Sequence, residues 1–110
     1  MKRLRTHHKY LKQLNSATGK KLRHLLLQSS GENIRCICEV SDNFLKGNLV
    51  LPPKKISKLK KFKKILRDLA NKKVPIKKKK KLLVQKGGFL PLLIGPLLKV
   101  ISGITESVGL

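Results

Sequence analysis

The feature that most constrains this chain is a division of charge and apolarity along its length. Residues 54–86 hold 16 Lys/Arg against the single acid Asp68, whereas residues 87–110 hold only Lys99 and Glu106 in a run rich in Leu, Ile and Val. The first stretch contains Lys77-Lys78-Lys79-Lys80-Lys81. The second opens with Gly87-Gly88-Phe89-Leu90-Pro91-Leu92-Leu93-Ile94-Gly95-Pro96-Leu97-Leu98. A cationic run of this density suits a polyanion, most simply nucleic acid, because condensed counter-charge relieves its self-repulsion. The apolar run suits a membrane or another apolar surface.

Formal charge is +22 over 110 residues, and it is unevenly spread: +8 over 1–23, −1 over 24–53, +15 over 54–86 and zero over 87–110. Only the second block is balanced, and it carries Ile34, Ile37, Val40, Phe44 and Leu45. A chain of this length holds one domain at most. A small core is expected around that block, with an amphipathic helix recruited on either side and folding coupled to anion binding.

The apolar spacing is helical throughout. Tyr10, Leu11 and Leu14 predict a short helical turn, and Leu22, Leu25 and Leu26 predict a helix from about Thr18 to Leu27 that leaves Lys20, Lys21 and Arg23 in water. Ser29-Ser30-Gly31 reads as a turn. The next helix opens at Glu32-Asn33, with Asn33 as its N-cap and with Ile34, Ile37, Cys38, Ser41, Phe44 and Leu45 inward; Gly47 stands where a left-handed stop is wanted. After Pro52-Pro53, the period resumes at Ile56, Leu59, Phe62, Leu66 and Leu69, with lysines over the rest of the cylinder, and it ends near residue 70 before Asn71 and Pro75.

The expected architecture is therefore all-α: a small bundle of about three helices between Leu11 and Asn71, with basic flexible segments and a C-terminal amphipathic helical tail. Its divisions are a basic arm at 1–9, a helical domain at 10–71, a lysine-rich linker at 72–88 and a hydrophobic tail at 89–110. His7 and His8 only add polarity to the arm, and His24 is a helix-surface residue. Met1-Lys2-Arg3-Leu4-Arg5 lacks the apolar run that a secretory signal requires.

Phosphate neutralisation falls to Lys54, Lys55, Lys58, Lys60, Lys61, Lys63, Lys64, Arg67, Lys72, Lys73, Lys77, Lys78, Lys79, Lys80, Lys81 and Lys86, with Lys2, Arg3 and Arg5 of the arm. Lysine outnumbers arginine and there are only four aromatics, so contact with phosphates is favoured over reading or stacking of bases. Lys77–Lys81 also has the form of a nuclear localisation signal.

For the tail, the prolines and glycines disfavour a plain transmembrane helix. A helix beginning near Pro96 would set Leu97, Leu98, Ile101, Ile104 and Val108 opposite Lys99, Ser102 and Glu106, an interfacial pattern. The membrane-facing set is Phe89, Leu90, Leu92, Leu93, Ile94, Leu97, Leu98, Ile101 and Ile104; the alternative is that the run completes a core or an oligomer contact. Its Phe-Leu-Pro opening resembles temporins, short membrane-active amphibian peptides.

No enzyme chemistry is expected, since five scattered acids and three histidines make no acid-base or metal constellation. Cys36 and Cys38 stand two apart with no second pair, which makes them core residues and fits a reducing compartment. No cofactor or metal is expected.

The segments Leu45-Lys46-Gly47-Asn48, Ile56 to Ala70, and Leu82-Leu83-Val84-Gln85-Lys86-Gly87-Gly88-Phe89-Leu90 before an apolar tail together resemble a known group. It is the small basic core protein of adintoviruses and the related Polinton, or Maverick, elements, analogous to adenovirus core protein X. The resemblance spans roughly residues 20–105. It implies a virion protein that condenses double-stranded DNA in the virion core and host nucleus, with a membrane-disrupting segment, a capsid protein as partner and a viral cysteine protease acting on it. Such proteases cut after Gly-Gly or Gly-X, which points to Gly87 and Gly88, although Gln85 stands where Met, Ile or Leu would be usual. Cleavage after Gly88 and an uncut flexible hinge both remain open. The other functions compatible with the sequence are a membrane-lytic protein whose lysines attract anionic lipid, and an RNA-binding protein of ribosomal type.

Overall fold

The computed structural model describes residues 5–49 and 51–98. The chain is all-helical, and no strand occurs among the described residues. In order, it forms α1 (His8–Ser16), α2 (Gly19–Gln28), α3 (Gly31–Leu45), α4 (Pro53–Leu59), a 3₁₀ turn (Lys60–Phe62), α5 (Lys63–Ala70), α6 (Ile76–Lys86), a second 3₁₀ turn (Gly87–Phe89) and a last helical stretch, α7, over residues 90–98. The two 3₁₀ turns join α4 to α5 and α6 to α7, so five helical units result where about three were expected.

The ends of these helices follow local chemistry. The Ser30 hydroxyl accepts the Asn33 N–H at 3.1 Å, so Ser30, and not the expected Asn33, caps α3. At its other end, Gly47 takes φ +74°, the Gly47 N–H donates to Phe44 O and the Asn48 N–H donates to Asn43 O. This paired closure satisfies two orphan carbonyls, and the left-handed residue it needs is one that glycine adopts without strain. Pro53 starts α4 and Pro75 precedes α6, positions where the missing N–H costs nothing.

The middle of the α4–α5 unit tightens for a reason visible in its spacing. Ile56, Leu59 and Phe62 are each three residues apart, which suits three residues per turn, and the steps to Leu66 and Leu69 restore the α period.

One core joins all the elements. Leu11 and Leu14 of α1, Leu26 of α2, Ile34 and Ile37 of α3, and Leu59, Leu66 and Leu69 of the α4–α5 unit are fully buried or nearly so. They surround Leu83, Phe89, Leu90, Leu93 and Ile94, which are equally inaccessible. Full burial of each such side chain is worth about 1.5–3 kcal/mol. The Phe62 and Phe89 rings stack with centroids 5.4 Å apart, adding about 0.5–1.5 kcal/mol. The radius of gyration, 13.4 Å, is close to the roughly 13 Å of an ordinary 100-residue domain.

Two expected divisions change here. Residues 72–88 are not a linker: only the turn at 72–75 separates α5 from α6, pinned by Asn71, whose side-chain oxygen accepts the Lys73 N–H at 2.9 Å and whose carbonyl accepts the Val74 N–H at 3.1 Å. Nor does the apolar stretch from Phe89 to Leu98 stand apart as a tail. The apolar stripes of the other helices form a socket that this stretch fills. Counting the apolar residues of each segment alone underestimates that socket, because every stripe contributes one wall of it.

Candidate nucleic-acid interface

The candidate interface comprises the outward faces of the α4–α5 unit and α6 with the turn between them. Of the 16 cations between Lys54 and Lys86, 13 are exposed: Lys54, Lys58, Lys60, Lys61, Lys63, Lys64, Arg67, Lys72, Lys73, Lys77, Lys78, Lys81 and Lys86. Lys55 and Lys80 are half-buried. Placement follows from amphipathicity: as Leu59, Leu66 and Leu69 turn inward, the lysines between them are driven to the opposite side, where their charged ends stay hydrated.

The pentalysine run is the exception to a uniform coat. Lys77, Lys78 and Lys81 are exposed, but Lys79 retains only 5% of its surface and Lys80 Nζ donates to the Ser29 carbonyl at 2.9 Å. The expectation that all five would contact phosphate is therefore corrected for Lys79 and Lys80. The run is helical and lies against α2, so its residues alternate between solvent and seam. At Ser29 three helical units meet. The Ser29 hydroxyl donates to Leu25 O at 2.7 Å, which leaves its oxygen to accept the Tyr10 hydroxyl at 2.6 Å. Burial pushes the Tyr10 hydroxyl pKa up, and the hydrogen bond to Ser29 opposes the rise.

The acids lie elsewhere. Glu32, Glu39 and Asp42 belong to α3, where Glu32 lies 3.6 Å from Arg35 and 3.8 Å from His7, and Asp42 pairs with Lys46 at 2.9 Å. Asp68 alone interrupts the cationic face. It lines a cleft of about 350 Å³ with Val74, Lys78, Lys81, Leu82 and Gln85.

Residues of the arm are partly folded. Arg5 is exposed and helical, and His8 begins α1 with its Nε2 buried and without a hydrogen-bond partner among the described residues. The expectation of an aperiodic arm over 1–9 is thus corrected for residues 5–9; Lys2 and Arg3 lie outside the described residues. Sequence reasoning left out Lys9, Lys12, Lys20, Lys21 and Arg23, all exposed on α1 and α2. The signal for them was the +8 charge of the first 23 residues, which no acid offsets.

The membrane-facing set is placed inside. Phe89, Leu90, Leu93, Ile94, Leu97 and Leu98 are buried and Leu92 is half-buried, while Ile101 and Ile104 lie outside the described residues. Helix is already established at 90, ahead of the expected start near Pro96. Leu27 is the one large apolar side chain standing exposed among the described residues. At the Gly87-Gly88 pair, Gly87 is buried in a 3₁₀ turn, and a Cβ on it would come within 3.2 Å of Leu26 Cδ1. Cys36 and Cys38 are both buried in α3 and neither is joined in a disulfide. Among the described residues no group of His, Cys, Asp and Glu is arranged to hold a metal ion.

No family model, curated protein or solved structure matches this chain.

Proposed function

We propose that this protein binds and condenses double-stranded DNA without sequence preference, as a packaging protein of a virus-like particle. The observation that carries the reading is the division of cations from acids between elements: the α4–α5 unit, the turn that follows it and α6 present 13 exposed cations with Asp68 the single acid among them, while Glu32, Glu39 and Asp42 lie on α3. Such a face neutralises phosphates and releases their counterions, a term independent of base sequence. Lysine, a point charge on a flexible stem, suits that task better than directional reading of base edges. The resemblance to the basic core proteins of adintoviruses and Polinton elements supports the same reading, with the virion core and host nucleus as its setting.

Duplex binding measured across a salt series tests it. If about eight phosphates are engaged, log affinity falls with log salt at a slope of about −7. A slope near zero rejects the proposal, and stronger binding to folded RNA than to duplex DNA replaces it with an RNA-packing role.

The second reading, a membrane-active protein, has its own supporting observation. Ile76–Leu98 is a 23-residue helical run long and apolar enough to cross a bilayer by length and composition. In the folded chain, half of its most apolar 18 residues is buried, so this activity requires the run to leave the core.

A further inference from the structure

Two opposed demands fall on the same 23 residues. The apolar end of the Ile76–Leu98 run supplies Phe89, Leu90, Leu93 and Ile94 to the centre of the core. Its other end carries Lys77, Lys78 and Lys81 on the surface, where Lys78 and Lys81 line a cleft with Asp68 of α5, the single acid among the 16 cations of residues 54–86. Burial draws the run in, whereas the net charge of +15 over residues 54–86 opposes holding them on one small body.

We infer that a bound polyanion holds this run inside the bundle, and that without it an anionic bilayer draws the run out, so that duplex binding and bilayer insertion oppose one another. The inference rests on the DNA-binding reading above. A ligand shifts a conformational equilibrium only by its differential affinity for the two forms. The closed form holds its exposed cations on one folded body, where a duplex neutralises many at once and relieves their repulsion. In the opened form, Lys77, Lys78 and Lys81 lie at lipid headgroups beside the inserted run and are no longer available to phosphates of DNA. The coupling is reciprocal: whatever factor duplex takes from bilayer affinity, bilayer takes from duplex affinity.

The chain contains its own reporter. Cys36 and Cys38, its only cysteines, are 0% and 9% exposed on α3, against which α5 and α6 pack. Both belong to the same buried cluster as Phe89, Leu90, Leu93 and Ile94, so removal of the run opens the core that encloses them. Full-length protein is treated with a thiol reagent alone, with saturating duplex, and with dye-loaded vesicles of mixed phosphatidylcholine and phosphatidylserine. Vesicles should speed labelling by about tenfold and release dye, and duplex added first should suppress both effects, a coupling of the usual size for linked sites.

A second variant relieves repulsion without touching the buried run. Replacing exposed Lys60, Lys61, Lys63 and Lys64 by Gln should protect the thiols in the absence of duplex and slow dye release. Steep, salt-dependent duplex binding with no effect on labelling or dye release overturns the coupling and leaves the DNA reading standing. Thiols that stay protected on vesicles, or a quadruple variant that labels as fast as the parent, also overturn it. Absence of duplex binding at every salt concentration removes the DNA reading itself.

Discussion

The α4–α5 and α6–α7 units are built alike and used oppositely. Each follows a proline, each is two helical segments joined by a 3₁₀ turn, and the last residues of those turns, Phe62 and Phe89, stack on one another. In the first unit, charge is partitioned around the cylinder: Ile56, Leu59, Leu66 and Leu69 face inward along the whole length and lysines cover the rest. In the second, it is partitioned along the axis, with lysines at one end and an almost unbroken apolar run at the other. Partition around a helix makes a wall of the bundle. Partition along it makes a plug, with Leu90, Leu93, Ile94 and Leu97 turned inward and Pro91, Leu92 and Gly95 half-buried on its outer side.

The largest expected effect breaks the second unit at the plug. Leu93→Asp places an unpaired charge in the centre of the core and should destabilise the chain by more than about 3 kcal/mol, enough to unfold much of a marginally stable domain. Lys64→Asp, at an exposed site on the first unit, should leave the far-UV circular dichroism melt almost unchanged and weaken duplex binding instead. Equal thermal losses in the two variants would mean that the units are not wall and plug.

A smaller effect separates neighbouring lysines. Lys78→Gln should lower the magnitude of the salt slope of duplex binding by about 0.9 with little change in melting, whereas Lys79→Gln should leave that slope nearly as it was and shift the melt. Equal slopes for both would erase the distinction within the run.

The smallest effect sharpens the join between the second unit and α1 at Ser29. Tyr10→Phe removes one buried hydrogen bond and should cost about 1 kcal/mol. It also changes the alkaline limb. Burial raises the Tyr10 pKa in the folded chain, so the stability it confers is complete below its unfolded value and is lost as pH climbs through and past the folded one. Denaturant titrations of parent and variant, both carrying the same lysines, should therefore converge above about pH 10.

Periodicity made the walls legible. Leu22 and Leu26, Ile34 and Ile37, and Leu59, Leu66 and Leu69 were assigned to inward faces by spacing alone, and they are buried. Gly47 as a left-handed stop and Pro75 as a boundary follow from the conformations those residues permit. The plug was legible only as the alternative to a membrane-facing tail, because an apolar run without a polar face gives no period from which to orient it. Whether it meets lipid or protein depends on whether other segments jointly provide a socket, and Leu11, Leu14, Leu26 and Leu69 come together only in three dimensions. The candidate interface was legible as a density of charge, but the loss of Lys79 and Lys80 from it was not. Lysine tolerates a helix as well as a linker, and five identical residues carry no mark of which side is inward.

The pentalysine run carries more information than its five equal letters suggest. Five equal letters read as redundancy, a tract in which any one member could be exchanged for another or dropped. In the fold they are distinct addresses: two solvated neighbours, one enclosed side chain, one tethered to the Ser29 carbonyl and one more on the surface. An inserted or deleted lysine would change overall charge by a single unit, yet it would rotate everything beyond it by about 100° and turn the plug's faces away from their socket. Length, more than composition, is what this simplest part of the sequence encodes.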